Sequence, residues 1–292
     1  MRDGETGSGM RWGVRPRRGW LLPLLLGLAT AAGAETGEDA PWRLGVHPFV
    51  ATTEVMERFR PLVDHLSAET GEAFELHVAN SYGAHVRAVG DGDVDLAYIG
   101  PAGFVRLWET HGEHPVLARE VLGSGASFRG VLVVREDHAI ETLAQVAGHS
   151  VAFVDVDSTM GYRMPMALLE RAGVAADDLG QKQFFGNHFD TASAVLLGDA
   201  DVAAMREEMF ERFEGRGLRA LAYTPAVPRH PFVARRGLDA ERREQWSAIL
   251  IGLSGHADGP AVFAALGGNV AEFVPGTAEE YRGLREMLEV TR

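Results

Sequence analysis

Cysteine is absent from the 292-residue chain, which excludes disulfides, a thiol nucleophile and thiolate metal sites. Lysine is nearly absent: Lys182 is the single one, and arginine supplies the rest of the 28 basic side chains. Acids number 41, and a net charge of −13 argues against a nucleic-acid partner. No Gly-x-Ser-x-Gly elbow, His-Glu-x-x-His or Walker loop occurs, so catalysis finds little support. His111 and His114 have a metal-like spacing but no third ligand nearby, and no cofactor is implied. Internal repeats and low-complexity linkers are missing too.

What is present begins with a leader. Arg11, Arg15, Arg17 and Arg18 precede an apolar run from Trp20 to Ala32, and Ala32-Gly33-Ala34 follows it. A basic head, a short apolar middle and a small-x-small exit make a cleavable signal peptide over residues 1–34. The run is too short to span a bilayer comfortably. Cleavage would remove five arginines and two acids, a loss of three positive charges that takes −13 to −16. Export without disulfides suits a bacterial periplasm, because a chain that is 46% hydrophobic has core enough without them.

Short β-branched runs then alternate with stretches of helical period. Strands are expected at 43–46, 74–78 and 94–99, with helices between them. Longer connecting strands fall at 116–121 and 130–134. A second series follows: strand 150–154, helix 158–171, strand 183–185, helix 190–197, strand 202–205, helix 207–213 and strand 218–222. Pro225, Pro228 and Pro231 punctuate a crossing, a strand returns at 232–234, and the tail from Leu238 reads as mostly helical. The pattern predicts an α/β fold of two lobes, residues 42–130 plus 233–292 and residues 131–232, joined by a double-strand hinge. Such a clamshell gathers strand ends and helix starts in its cleft, where ligands of α/β folds bind.

The stretch best suited to a ligand is Asp157-Ser158-Thr159-Met160-Gly161-Tyr162, between a strand and a helix. A hydroxyl-rich helix start offers free backbone N–H groups, two hydroxyls and the positive end of the helix dipole. Capping of the helix by Ser158 or Thr159 would account for the same residues.

Four stretches together resemble a known family: Ala79-Asn80-Ser81-Tyr82; Asp95-Leu96-Ala97-Tyr98-Ile99-Gly100-Pro101; Asp157 to Tyr162; and Gly186-Asn187-His188 with Ala192 and Asp201-Val202-Ala203. The chain is similar to the phosphate/phosphite/phosphonate substrate-binding proteins of ABC transporters, which have the type II-like periplasmic binding protein fold. The resemblance implies that an S-T-S-G turn grips a tetrahedral oxyanion, here Ser158, Thr159, Met160 and Gly161, with a thioether at the third position that donates nothing. It further implies ligand contacts from Tyr82 and His188. A second family tyrosine falls on Ile99, with Tyr98 one place early and on the opposite face of the strand. Of the carboxylates that hold an aminoalkyl group, Glu208 is retained and His230 replaces the other. Both departures argue against 2-aminoethylphosphonate and favour a smaller or differently shaped oxyanion.

The ligand-binding set expected from this reading is Ser158, Thr159, Met160, Gly161, Tyr82, His188, Glu208 and Tyr98, with no metal. His47, Arg206 and His230 stand at the cleft edge and read as structural. Protonation of His188 below about pH 6.5 is expected to strengthen anion binding. The expected function is periplasmic capture of a small oxyanion for an ABC permease, with the membrane reached only through that partner. The alternative is presentation of an oxyanion, arsenite for example, to the periplasmic domain of a sensor kinase. Two rivals remain: an enzyme using His188 and Glu208 as an acid/base pair, and a scaffold with a degenerate pocket.

Overall fold

The computed structural model describes residues 40–289 except 124 and 268, so the expected leader lies outside the described residues. The chain runs β1 (Trp42–Val46), α1 (Thr52–Thr70), β2 (Phe74–Val78), α2 (Tyr82–Asp91), β3 (Leu96–Tyr98), α3 (Pro101–His111) and β4 (Val116–Leu122). It crosses through β5 (Ser127–Phe128) into β6 (Gly130–Arg135), β7 (Ser150–Phe153), α4 (Met164–Arg171), β8 (Gln181–Phe184), α5 (His188–Leu197), β9 (Val202–Arg206), α6 (Glu207–Phe210) and β10 (Leu218–Tyr223). It returns through β11 (Val227–Pro228) to β12 (Pro231–Ala234), α7 (Ala240–Gly252), α8 (Gly259–Leu266), β13 (Val270–Val274) and α9 (Arg282–Glu289).

Two sheets result, ordered β13-β4-β12-β3-β1-β2 and β10-β6-β9-β7-β8. Each has a parallel part, β2-β1-β3 in one and β8-β7-β9 in the other, as the strand–helix alternation requires. Strands adjoining the crossing run antiparallel to that part: β12 against β3 and β4, and β6 against β9. The crossing itself is a two-stranded ribbon in which Phe128 of β5 faces Val227 of β11. This is the double-strand hinge of a two-lobe α/β clamshell.

Alternation along the strands feeds both faces of each sheet. In β6, Val131 and Val133 pack with Val195 and Met205, whereas Leu132 and Val134 pack with Val151, Phe153 and Leu169. In the first sheet Tyr98 joins Phe59 and Phe232 on one face, and Ile99 joins Val86 and Phe104 on the other. A fifth cluster straddles the seam between the sheets: Ala102 and Val105 of α3, Phe128 and Val227 of the ribbon, Met160, Met164, and Leu284 and Leu288 of α9.

Two elements differ from the sequence reading. The tail contains β13, an edge strand that is half-exposed along Val270-Ala271-Glu272 and so lacks a clean alternation. The helix expected from residue 158 opens as a wide five-residue turn, Thr159–Arg163, before α4. The cause is Pro165, which has no N–H for the carbonyl of Gly161 four residues earlier. That carbonyl accepts instead from the Val154 amide at 3.1 Å, while the Arg163 amide reaches back to Ser158 at 3.0 Å.

Candidate functional site

Six strand ends converge between the lobes. In the first sheet, β1 leads to His47, β2 to Tyr82 and β3 to Gly100; in the second, β7 leads to Ser158, β8 to His188, and β9 ends at Arg206. Three of these turns share one design. Ser81, Ser158 and Asn187 each cap the helical turn they open, accepting from the amides of Ala84 (3.1 Å), Gly161 (3.1 Å) and Asp190 (2.9 Å). The residue after each cap, Tyr82, Thr159 or His188, is thereby fixed at the cavity wall.

The resulting cradle, about 20 Å³, is lined by residues of both lobes. That volume holds about one water, so a tetrahedral oxyanion seats there only when the walls from the two lobes stand further apart. Its floor is Gly100, where an added Cβ would lie 3.5 Å from Thr159 Oγ1 and 3.9 Å from Nε2 of both His47 and His230. Thr159 Oγ1 accepts the Ala102 amide of α3 at 2.9 Å, which leaves its hydroxyl proton to donate. Tyr82 shares a hydrogen bond with Ser158, and burial raises the Tyr82 pKa, so its phenol stays protonated. The amides of Thr159 and Met160 belong to a first turn and have no intrahelical acceptor.

The histidines have assigned roles. His188 Nδ1 accepts the Arg206 amide at 3.3 Å, so the neutral ring carries its proton on Nε2. Burial first, then Arg206 and His230, hold His188 well below its ordinary pKa. It is therefore a neutral donor, and the expected gain in binding below pH 6.5 does not arise from it. His47 Nδ1 faces the Tyr98 carbonyl at 3.3 Å and donates to it, leaving Nε2 as an acceptor beside Gly100. Burial and the neighbouring His230 and His85 keep His47 neutral as well. His230 Nδ1 donates to Glu120 at 2.9 Å, and Tyr98 donates to the other Glu120 oxygen at 2.6 Å. Burial alone would raise the Glu120 pKa, but His230 and Tyr98 outweigh it and hold the carboxylate below its ordinary range.

The structure thus brings together Ser158, Thr159, Met160, Tyr82 and His188. Gly161 sits behind them, where an added Cβ would lie 2.3 Å from Val154, so only glycine fits. Met160 turns its thioether toward Gly130 and Thr224 under the hinge, and its side chain is 1% exposed in the seam cluster. Tyr98 and Glu208 line a neighbouring, larger cavity, with Glu208 paired to Arg229 at 2.7 Å. His47, Arg206 and His230, read as structural from sequence, line the cradle itself. The signal for two of them was positional: His47 follows the last residue of β1, and Arg206 is the last residue of β9. Asp157, four residues after the end of β7, forms an ion pair across the seam with Arg106 of α3.

A family model described as "ABC transporter, phosphonate, periplasmic substrate-binding protein" matches residues 44–281. A curated relative, the phosphate-import protein PhnD of Mycolicibacterium smegmatis, is 27% identical over 206 residues. That match covers 63% of this chain and 64% of the relative, so the chain spans under two thirds of its length. Among solved structures, the binding component of an ABC phosphonate transporter from Pseudomonas aeruginosa superposes with a TM-score of 0.77 at 20% identity, covering 86% of each chain. PhnD1 from Prochlorococcus marinus, solved with methylphosphonate, has a TM-score of 0.77 at 19% identity, covering 85% of this chain and 97% of that one.

Proposed function

The chain belongs to the periplasmic substrate-binding proteins of phosphonate ABC transporters, and from that premise we propose that it closes its two lobes on a tetrahedral phosphorus oxyanion and delivers it to an ABC permease. The observation that carries the reading is the Thr159 contact. One lobe's oxyanion turn docks on the first turn of the other lobe's α3 at 2.9 Å, so closure and assembly of the cradle are the same event. The lobes, residues 42–130 with 233–292 and residues 131–232, move as units about the β5–β11 ribbon. Closure buries the ligand and forms the face the permease reads. Phosphate import by the Mycolicibacterium relative and methylphosphonate on the Prochlorococcus protein support a phosphorus oxyanion.

The cradle offers donors from Thr159, His188 and the hydrogen-bonded Ser158–Tyr82 pair, which keeps one proton free, together with an acceptor, His47 Nε2. An acceptor inside an anion site favours an oxyanion that still carries a proton, which phosphate, phosphite and phosphonates do near neutral pH and sulfate does not. With the protein at −13, local dipoles rather than the overall field supply the attraction. A thermal-shift panel of phosphate, phosphite, methylphosphonate and sulfate tests this. A ligand at a hundred times its Kd stabilises by about 2.7 kcal/mol, enough to move the melting temperature. A phosphorus oxyanion should shift it and sulfate should not. A flat panel, or a shift with sulfate alone, would overturn the reading.

A further inference from the structure

At the end of the first lobe away from the cradle, two histidines and two carboxylates meet. His65 and Glu69 stand about one turn apart near the end of α1, so they share a face of that helix. His256 and Asp258 stand in the connector that leads into α8, which packs against α1. Because β1 and β2 are parallel, α1 starts near the cleft and returns to the opposite end of the sheet. Its last turns are therefore remote from the cradle.

The contacts in this group are not all hydrogen bonds. The Asp258 amide donates to Nδ1 of His256 at 3.2 Å, so that nitrogen presents a lone pair and the neutral ring carries its proton on Nε2. The same Nδ1 lies 3.4 Å from Oδ2 of Asp258. A ring lone pair and a carboxylate oxygen thus face each other with no ring proton between them, and a cation placed there would attract both. Nδ1 of His65, a side chain that is 3% exposed, lies 3.2 Å from the same oxygen. Both separations match the edge of a ligand tetrahedron around zinc, ~3.3 Å for bonds of 2.0–2.1 Å. On the other side of the His256 ring, Nε2 lies 3.6 Å from Oε1 of Glu69. A carboxylate in that place fixes the tautomer that binds a metal through Nδ1. The other histidine group, His138, His149 and Asp201, differs. There the Ile140 amide donates to His138 Nδ1, which sets a proton on the Nε2 that faces Asp201, and Asp201 Oδ2 already accepts twice from Ser150.

We infer that His65, His256 and Asp258 form a zinc site, with Glu69 holding the His256 ring from behind. Two imidazoles beside one carboxylate suit zinc, whereas magnesium and calcium take oxygen ligands. Three protein ligands leave the fourth position to water, and Asp258 and His256 are open enough to solvent to admit it. The charges of Asp258 and Glu69 balance the dication. The bound metal exchanges the long amide contact at His256 Nδ1 for a coordinate bond. It joins α1 to the α8 connector across 193 positions of sequence, so it braces the first lobe and takes no part in gripping the oxyanion.

Titration calorimetry and melting curves of the untagged chain with zinc chloride, in buffer free of phosphate and chelators, test this. The wild type should bind a single zinc ion, and zinc at about a hundred times its Kd should raise the melting temperature by roughly 5–10 °C. His256→Gln and Asp258→Asn should each weaken zinc at least ~100-fold, and Glu69→Gln, which removes only the supporting carboxylate, ~10-fold or more. Melting curves without zinc establish that these variants fold. His149→Gln should leave zinc affinity unchanged, and excess magnesium should not compete. No saturable zinc binding by the wild type would overturn the inference. So would binding that survives both His256→Gln and Asp258→Asn, or binding that is lost in His149→Gln.

Discussion

Thr159 of the second lobe accepts the backbone N–H of Ala102 in the first, at 2.9 Å. One side chain therefore serves two purposes: it caps a helix across the seam, and it points its own proton into the cradle. Asp157, two residues earlier, adds an ion pair with Arg106 on the same helix. The turn that would hold the anion is thus also the latch between the lobes.

Gly100 gives the cleanest separation of site from fold. Its backbone, φ −65° and ψ 146°, suits any residue, and an added methyl would meet ordinary contacts at 3.5 Å and beyond. Gly100→Ala should therefore fold normally. The methyl would occupy the cradle between Thr159, His47 and His230, so affinity for a phosphorus oxyanion should fall at least ~10-fold, the loss of one good polar contact. Melting curves and titration calorimetry together check this; unchanged affinity would place the anion elsewhere.

Met160 is explained by packing rather than by ligand contact. It fills the seam cluster with Phe128, Met164 and Val227. Met160→Ser, which restores a third hydroxyl to the turn, should cost about 2–4 kcal/mol in chemical denaturation, as emptying a core methionine site does. A stability unchanged from wild type would show that the cluster does not hold the seam.

Stability should drain in mild acid. Burial, the largest cause, keeps His47 and His188 well below their ordinary pKa and brings His85 to about 3. In the unfolded chain each protonates near pH 6.5. Below that pH the unfolded state binds more protons, so the stability these rings contribute is complete above about pH 6.5 and is lost as pH falls, at up to ~1.4 kcal/mol per pH unit for each ring. The denaturation midpoint should be lower at pH 5 than at pH 7.5, and His85→Leu should flatten the slope. A midpoint independent of pH across this range would contradict the assignment of neutral buried rings.

Local signals carried much of the fold and part of the cradle. Ser158 and Thr159 are legible because they follow a strand at a helix start and are capping residue types, whereas Tyr82 and His188 came from the family resemblance. The Tyr98–Ile99 opposition followed from strand alternation alone. What depends on distant partners was not legible. His230 meets Glu120 across 110 positions of sequence, and nothing near either residue announces the other. The larger cavity beside the cradle draws on α1, α6, α8 and the hinge, so no single stretch shows it. The wide turn after Ser158 comes from a proline four residues beyond Gly161, a backbone effect hidden inside an otherwise helical pattern.

The central claim is that the Ser158–Thr159 turn grips the oxyanion. Titration calorimetry of the wild type and the double variant Ser158→Ala/Thr159→Ala with phosphate, phosphite and methylphosphonate tests it most directly. The account predicts a measurable Kd with at least one of the three for the wild type. It predicts none for the variant, whose melting temperature should drop by roughly 4–8 °C, the loss of two caps at about 1 kcal/mol each. A variant that melts near wild type and binds with unchanged affinity would contradict it.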